Sequence, residues 1–148
     1  MRRYVIGFMF TEDRSQVVLI QKTRPKWQAG RWNGPGGKIE GSEGTCEAMA
    51  REFMEETGVA TEPGDWEHTL TLYNEKSECM FYRTFSDRAL DAKTMEEEHV
   101  SVWDLEQLHN CPTIDNLRWI IPLLLDAGLH AGHHGGVIRI KNCREAVL

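Results

Sequence analysis

Three glutamates lie within five consecutive residues of the stretch REFMEETG, which begins at Arg51. At 100° per residue on a helix, Glu52, Glu55 and Glu56 share an arc of about 100°. An apolar stripe that includes Phe53 lies next to this arc, and Arg51 lies on its far side. Carboxylates this close repel one another, and no lysine stands four residues from any of them. The spacing leaves two interpretations open: a solvated acidic face, or a site where oxygen ligands bind a hard divalent cation, Mg²⁺ or Mn²⁺.

The helix that would carry these carboxylates is predicted to start at Ser42, to run to Thr57 and to end at Gly58. The segment before it, 23–38, is rich in glycine, proline and tryptophan and is predicted to be a loop. Runs of β-branched and aromatic residues predict strands at 4–10, 17–22, 66–73, 78–85, 100–103 and 136–140. The first two strands are predicted to form a hairpin or to lie near each other.

A second helix is predicted to begin with Asp115 as its N-cap and to end at Gly128. Pro122 inside it indicates either a kink or a later start, and residues 104–108 are predicted to form a single helical turn. Strands and helices mix without regular βα alternation. The sequence therefore predicts one α/β (α+β) domain, 1–148, with a mixed β-sheet between helices.

The composition limits the classes of partner. The chain has 148 residues and a formal net charge of −6, which argues against duplex nucleic acid and anionic membranes, since both favour a basic face. A phosphorylated small molecule is compatible with this charge if a divalent cation lies between its phosphates and the acidic groups of the protein. The four cysteines lack zinc-site and redox spacing and are predicted to be reduced thiols of a cytoplasmic protein. No apolar stretch is long enough to span a membrane, and the sequence leaves monomer and homodimer open.

The wider spacing around the glutamates resembles the Nudix box. Gly37 is followed after five residues by Glu43 and, after seven more, by the segment from Arg51 to Val59. Every fixed position of that signature is met, and Phe53 stands where the family has an aliphatic residue. The resemblance implies a mixed sheet between helices, with the box as a loop–helix–loop. It also implies hydrolysis of a nucleoside diphosphate linked to another group, aided by divalent cations.

The same resemblance assigns roles to individual residues of the box. The implied metal ligands are three side chains and one backbone carbonyl: Glu52, Glu55, Glu56 and the carbonyl of Gly36. Arg51, which belongs to the implied catalytic group, and Glu43 would hold the loop–helix–loop together.

A further carboxylate, as metal ligand or general base, is expected from the loop in TMEEEHVSVW. This segment offers Glu96, Glu97 and Glu98. The position relative to the next strand makes Glu97 the first choice, and His99 is an alternative base.

The loop KWQAGRWNGPGGK resembles the MutT-type branch of the family, and most closely the enzymes that act on oxidised purine nucleoside triphosphates. The resemblance implies that Asn33 reads the base, because its amide can both donate and accept hydrogen bonds. It places Trp27 against the base, whereas Trp32 is expected to be a packing residue. Gly37 and Lys38 complete the implied substrate-binding set in this segment.

A downstream segment, IDNLRWIIPLLL, resembles the family's second base-reading motif. Asp115 takes the place of its first acidic residue and Asn116 replaces the second, although Asp115 could instead be only a helix cap. Thr113 stands where a tryptophan stacks on the base in the animal enzymes. Lys22 and Arg24, at the end of the second predicted strand, are phosphate contacts or ordinary surface cations.

The predicted function is that of a Mg²⁺-dependent nucleoside triphosphate pyrophosphohydrolase, which would convert oxidised or modified purine nucleotides to monophosphate and pyrophosphate. Two alternatives stay open at this point. One is a Nudix hydrolase of ADP-ribose, dinucleoside polyphosphates or nucleotide sugars. The other is a non-catalytic Nudix module that senses a nucleotide.

Overall fold

The computed structural model describes residues 1–126 and 137–141. Its strands are Arg2–Phe10 (β1), Gln16–Gln21 (β2), Trp32–Asn33 (β3), Gly36–Lys38 (β4), Glu67–Tyr73 (β5), Ser77–Phe85 (β6), Val100–Asp104 (β7) and Ile138–Lys141 (β8). Its α-helices are Thr45–Thr57 (α1) and Leu117–Leu124 (α2), and short 3-10 helices lie at Lys26–Gln28, Pro63–Asp65, Asp87–Asp91 and Leu105–Asn110. None of the helices in the described ranges combines the length and the apolar character needed to cross a membrane.

The strands form one mixed sheet with β1 near its centre. β1 pairs in parallel with β6 along its whole length, and the sheet runs in the order β3-β2-β1-β6-β5-β8. The other edge of β1 is divided: its first half pairs antiparallel with β4, and Phe10 pairs with Val17 of β2. β7 extends the sheet beyond β2, and β8 lies parallel to β5. The predicted mixed sheet is therefore confirmed.

The alternation of side chains along β1 divides the core into two layers. Ile6, Phe8 and Phe10 point to a layer that α2 covers, whereas Val5 and Met9 point to a layer that α1 covers. The second layer includes three residues of α1 and one tryptophan before β5: Ala48, Met49, Phe53 and Trp66. The helices thus lie on opposite faces of the sheet, and the buried position of Phe53 fixes which face of α1 points outwards.

The ends of α1 follow the sequence prediction only at the C-terminus. Gly58 adopts a left-handed conformation with φ +76°, and its N–H donates to the Met54 carbonyl at 3.0 Å. The predicted start at Ser42 is wrong, because the helix begins at Thr45 after Gly44, with no side-chain cap.

The second helix is shorter than predicted. α2 begins at Leu117, so Asp115 is not its N-cap, and Asn116 occupies that position without a side-chain cap. Pro122 lies in the last turn and not at a start, and the helix ends at Leu124. The predicted stop at Gly128 lies outside the described residues.

The segment predicted as pure loop contains two short strands. β3 pairs with β2, and β4 pairs with β1 through the register Gly36–Ile6 and Gly37–Val5. The prediction of loop over this whole segment is therefore wrong. Glycine is a poor strand former in general, but here it allows backbones to approach where a side chain would not fit.

The thiols agree with the sequence prediction. Cys46, Cys79 and Cys111 are free, and Cys79 is completely buried in the sheet. Burial raises the pKa of the Cys79 thiol, so it stays protonated. Cys143 lies outside the described residues.

Arg83 fastens the sheet to the end of α2. Its side chain on β6 is buried, and Nη1 donates to the carbonyls of Leu124 and Asp126 at 2.9 Å each. Nη2 donates to Glu67 Oε1 on the neighbouring strand at 3.1 Å. A single guanidinium therefore satisfies two carbonyls at a helix C-terminus, where a positive charge is favoured.

Arg83→Met is expected to lower the free energy of unfolding by about 3 kcal/mol, because it removes the Arg83 hydrogen bonds to the buried Leu124 carbonyl and to the Asp126 carbonyl, together with the ion pair to Glu67. Arg118→Met is the control, because Arg118 lies exposed on α2, and its expected loss is below about 0.5 kcal/mol. Urea unfolding at pH 7 measures both values. Equal losses in the two variants would contradict the role of Arg83.

Candidate active site

Arg51 is the centre of an ion-pair network beside α1. Its guanidinium donates twice to Glu43, at 2.7 Å from Nη2 and 3.0 Å from Nε. Nη1 donates to Glu52 at 2.9 Å and lies 3.4 Å from Glu55 Oε2, and Nη2 also donates to the Lys38 carbonyl at 3.2 Å. The Glu43–Arg51 hydrogen bonds raise the pKa of Arg51 and lower the pKa of Glu43, so both remain charged. One guanidinium thus ties three carboxylates to the end of β4.

Glu56 lies deeper than the other carboxylates of α1. Only 6% of the residue is exposed, and its Oε2 has no hydrogen-bond partner among the described residues. Burial raises the pKa of Glu56 to about 9, although the Lys22 charge opposes this shift; the Glu52 carboxylate adds to it. Burial also raises the pKa of Glu52. Burial therefore favours the neutral form of both carboxyls, and a bound cation would favour their charged forms.

The backbone of β4 leaves no room for side chains between β1 and α1. A Cβ on Gly36 would lie 2.0 Å from the carbonyl oxygen of Val5, and a Cβ on Gly37 would lie 2.4 Å from Glu52 Oε1. These two clashes differ in kind, since the first is with backbone and the second is with the end of a flexible side chain. Gly37 thus leaves the space that the Glu52 carboxylate occupies.

The donors at this site suit a hard divalent cation. They are carboxylate oxygens, and one of them, Glu56 Oε2, is buried without a partner among the residues that the structure describes. Within residues 1–126 and 137–141, no three His, Cys, Asp or Glu side chains are arranged as a ligand cluster. In this structure, Glu52 and Glu55 instead both lie against Arg51 Nη1. To bind a cation, Glu52 and Glu55 would have to leave Arg51 and contact the ion.

The loop before β7 brings Glu98, and not Glu97, to the buried side of the site. Glu98 Oε1 accepts a hydrogen bond from Lys22 Nζ at 3.3 Å, and the charges of both residues act on Glu56. Glu97 is exposed to solvent, as is His99. The sequence prediction could not separate the adjacent glutamates, because the partner of Glu98 lies 76 positions away in the chain.

Asn33 is a buried polar residue with an unused donor. Its Oδ1 accepts from the Gly34 N–H at 2.8 Å, whereas its Nδ2 has no partner in the described part of the chain. Trp32 is buried and packs edge-on against His99 and Trp103, which confirms that it is a packing residue. Trp27 is 52% exposed on the loop before β3.

The segment before α2 lies next to β3. Thr113 forms a bridge with Trp32, and Asn116 Oδ1 is buried without a partner within the described ranges. Asp115 is exposed and accepts a hydrogen bond from Arg31 Nη1 at 2.8 Å, and the same nitrogen donates to the Thr113 carbonyl at 3.2 Å. Sequence reasoning missed Arg31, since nothing in the local pattern links it to a residue 84 positions away.

The fold and this site define the family. A family model described as the NUDIX domain matches residues 1–122, and the chain belongs to this family. The oxidized purine nucleoside triphosphate hydrolase of Mus musculus is 30% identical over 121 residues, which cover 80% of this chain and 78% of that protein. The Nudix and MutT-type resemblance predicted from the sequence is thereby confirmed. The extent of the domain over residues 1–148 stays a prediction.

A shorter match joins the chain to the 8-oxo-dGDP phosphatase of Mus musculus, at 37% identity over 60 residues. That match covers 40% of this chain and 18% of the phosphatase, so the chain spans less than a fifth of that relative. Among solved structures, a MutT from Aliivibrio salmonicida or Vibrio cholerae has a TM-score of 0.69 at 22% identity, covering 83% of this chain and 96% of that one. At such identity the structural likeness supports the fold alone.

The two glycines of β4 are expected to respond differently to alanine. Gly36→Ala should destabilise the fold by about 3 kcal/mol or more, since backbone must move, whereas Gly37→Ala should cost about 1 kcal/mol, since the Glu52 side chain can turn away. Urea unfolding measures both.

Gly64→Ala is the matched control for these glycine variants. A Cβ on Gly64 would meet no atom within 4 Å beyond its immediate chain neighbours, and the expected change in stability is within about 0.5 kcal/mol. Equal stability of the Gly36→Ala and Gly64→Ala proteins would contradict the close approach of β4 to β1.

Proposed function

We propose that the chain is a divalent-cation-dependent nucleoside triphosphate pyrophosphohydrolase, which releases a nucleoside monophosphate and pyrophosphate from oxidised or modified purine triphosphates. The observation that carries this proposal is the buried Glu56 carboxyl, which lies beside Glu52 and whose Oε2 has no hydrogen-bond partner in the part of the chain that the structure describes. Nudix enzymes generally use divalent metal ions and act on small nucleotides. The similarity to the triphosphate hydrolase of Mus musculus, which extends over 121 residues, supports the triphosphate class.

The residues proposed to hold Mg²⁺, or Mn²⁺ in its place, all offer oxygen. They are Glu52, Glu55, Glu56 and the Gly36 carbonyl. Glu97 is proposed as a further ligand, and because its side chain is exposed in this structure, it would have to turn inwards to reach the cation. A divalent cation bound there would neutralise phosphate charge and lower the pKa of the attacking water.

The remaining charged groups of the site orient these ligands and the phosphates. Arg51 fixes Glu52 and Glu55 relative to Glu43. If Glu52 and Glu55 turned from Arg51 to a bound cation, the ion pair between Arg51 and Glu43 would stay in place. Lys22 has a side chain that is only 12% exposed, so its ammonium carries a positive charge into a site rich in carboxylates. We assign Lys22 and Lys38 to the phosphates, since a cation favours oxyanions that gain charge during the reaction.

The base would bind between β3 and the segment before α2. Asn33 Nδ2 is a buried donor and Asn116 Oδ1 a buried acceptor, and neither has a partner in the described ranges. A purine edge offers complementary acceptors and donors, which would relieve the cost of leaving these atoms unpaired. The exposed Trp27 ring offers a face for stacking, and the Asp115 carboxylate can accept an N–H from the base.

Glu55→Gln and Glu56→Gln are each expected to lower turnover by about three orders of magnitude, because each removes charge stabilisation of the transition state. The assay incubates protein with Mg²⁺ and ordinary, oxidised and methylated (d)NTPs, and chromatography identifies the products. ADP-ribose, dinucleoside polyphosphates and NADH complete the panel. Glu106→Gln, an exposed carboxylate in a 3-10 helix, is the control.

Two results would contradict the proposal. Preferred turnover of ADP-ribose or a dinucleotide over every triphosphate would overturn the substrate class. Undiminished turnover by the Glu55→Gln and Glu56→Gln proteins would overturn the assignment of the ligands.

Asn33→Ala and Asp115→Ala are expected to change the ranking of bases by about tenfold or more in kcat/KM, since each removes a hydrogen bond to the base edge. The Mg²⁺ concentration for half-maximal turnover should stay within about twofold of wild type. Steady-state kinetics with the same purine triphosphates measure both quantities. An unchanged ranking would leave Asp115 as only the partner of Arg31.

A further inference from the structure

Glu98 differs from its two neighbours in the acidic triplet because its side chain turns inwards. Its side chain is 19% exposed, whereas Glu96 and Glu97 lie at the surface. Oε2 accepts hydrogen bonds from the Thr23 N–H at 2.6 Å and from Thr23 Oγ1 at 3.1 Å, and Oε1 accepts from Lys22 Nζ at 3.3 Å. Both carboxylate oxygens are therefore engaged by the chain just after β2.

The residues that Glu98 contacts lie at the neck of the loop that carries Trp27. The Lys22 N–H donates to the Arg31 carbonyl and the Gly30 N–H donates to the Lys22 carbonyl, each at 2.8 Å. These bonds close the loop at its base. Glu98 then fixes the first loop residue, Thr23, to the segment before β7.

We propose that Glu98 is a positioning residue that clasps Lys22 and Thr23, and that it is not a ligand of the cation. The proposal rests on the proposed function in one respect, namely that Lys22 and Trp27 contact the nucleotide. If Glu98 bound the cation, its charge-assisted hydrogen bonds to Lys22 and Thr23 would break. The largely buried Lys22 ammonium would then lose its carboxylate partner. In the proposed role, Glu98 positions both the phosphate contact, Lys22, and the loop that carries the stacking ring of Trp27.

The expected kinetic effect is on substrate binding. Glu98→Gln removes the charge that holds Lys22 and should raise KM about tenfold, with kcat within about threefold of wild type. Lys22→Met should raise KM as well, and the Lys22→Met/Glu98→Gln protein should show a smaller rise in KM than the product of the two single rises, because Glu98 acts in part through Lys22. The substrate is the triphosphate that the wild-type protein hydrolyses fastest, and Glu106→Gln is the control for loss of one carboxylate.

Two further measurements need no turnover. Hydrogen exchange of the Thr23 amide, followed by NMR, should be about tenfold faster in Glu98→Gln than in wild type, since the charged acceptor at 2.6 Å is lost. Glu97→Gln, on the same loop, should leave that exchange unchanged. Mn²⁺ alone, titrated by electron paramagnetic resonance, should bind Glu98→Gln and wild type with affinities within about twofold.

An affinity for Mn²⁺ that falls tenfold or more in Glu98→Gln would overturn the proposal, because it would make Glu98 a ligand. Unchanged Thr23 exchange, or additive KM effects in the double variant, would overturn it as well. A wild-type protein that hydrolyses no triphosphate would contradict the proposed function alone, and the Thr23 and Mn²⁺ measurements would still decide whether the clasp exists.

Discussion

The constraint on which the site depends is an excess of carboxylates over cations around α1. Glu43, Glu52 and Glu55 all contact one guanidinium, that of Arg51. Lys22, the cation that acts on the buried Glu56, is itself paired with Glu98. Burial of a carboxylate without compensating charge is costly, and Glu56 Oε2 has no hydrogen-bond partner among the described residues. A bound divalent cation would supply the positive charge that these carboxylates lack.

The fold supplies this arrangement through close packing of backbone. β1 pairs with β6 on one edge and gives half of its other edge to β4, whose glycines lie directly against Val5 and Glu52. The Gly36 carbonyl and the α1 carboxylates are thereby held on rigid elements, which a site for phosphoryl transfer requires for alignment of its reacting groups. The residues assigned to the base come from β3 and the segment before α2, which the Trp32–Thr113 bridge brings side by side.

The elements and site residues that depend on spacing within one segment could be predicted from the sequence. Those that depend on contacts between distant segments could not. The helical arc of Glu52, Glu55 and Glu56 follows from spacing within one element, as does the stop at Gly58. β3 and β4 were missed because their partners, and not their own residue types, make them strands. Ser42 resembled a helix cap because its type is favoured there, yet helix α1 starts after Gly44. The inward turn of Glu98 and the Arg31–Asp115 pair depend on residues 75 or more positions apart, for which one sequence carries no signal.

The central claim is that Glu52 and Glu56 form the deepest part of a divalent-cation site. Titration of the full chain with Mn²⁺, followed by electron paramagnetic resonance, tests it most directly, because free and bound ion are distinguished without any substrate. The account predicts that wild-type protein binds the ion and that Glu52→Gln/Glu56→Gln weakens binding by about tenfold or more. Equal Mn²⁺ affinity in the two proteins would contradict it.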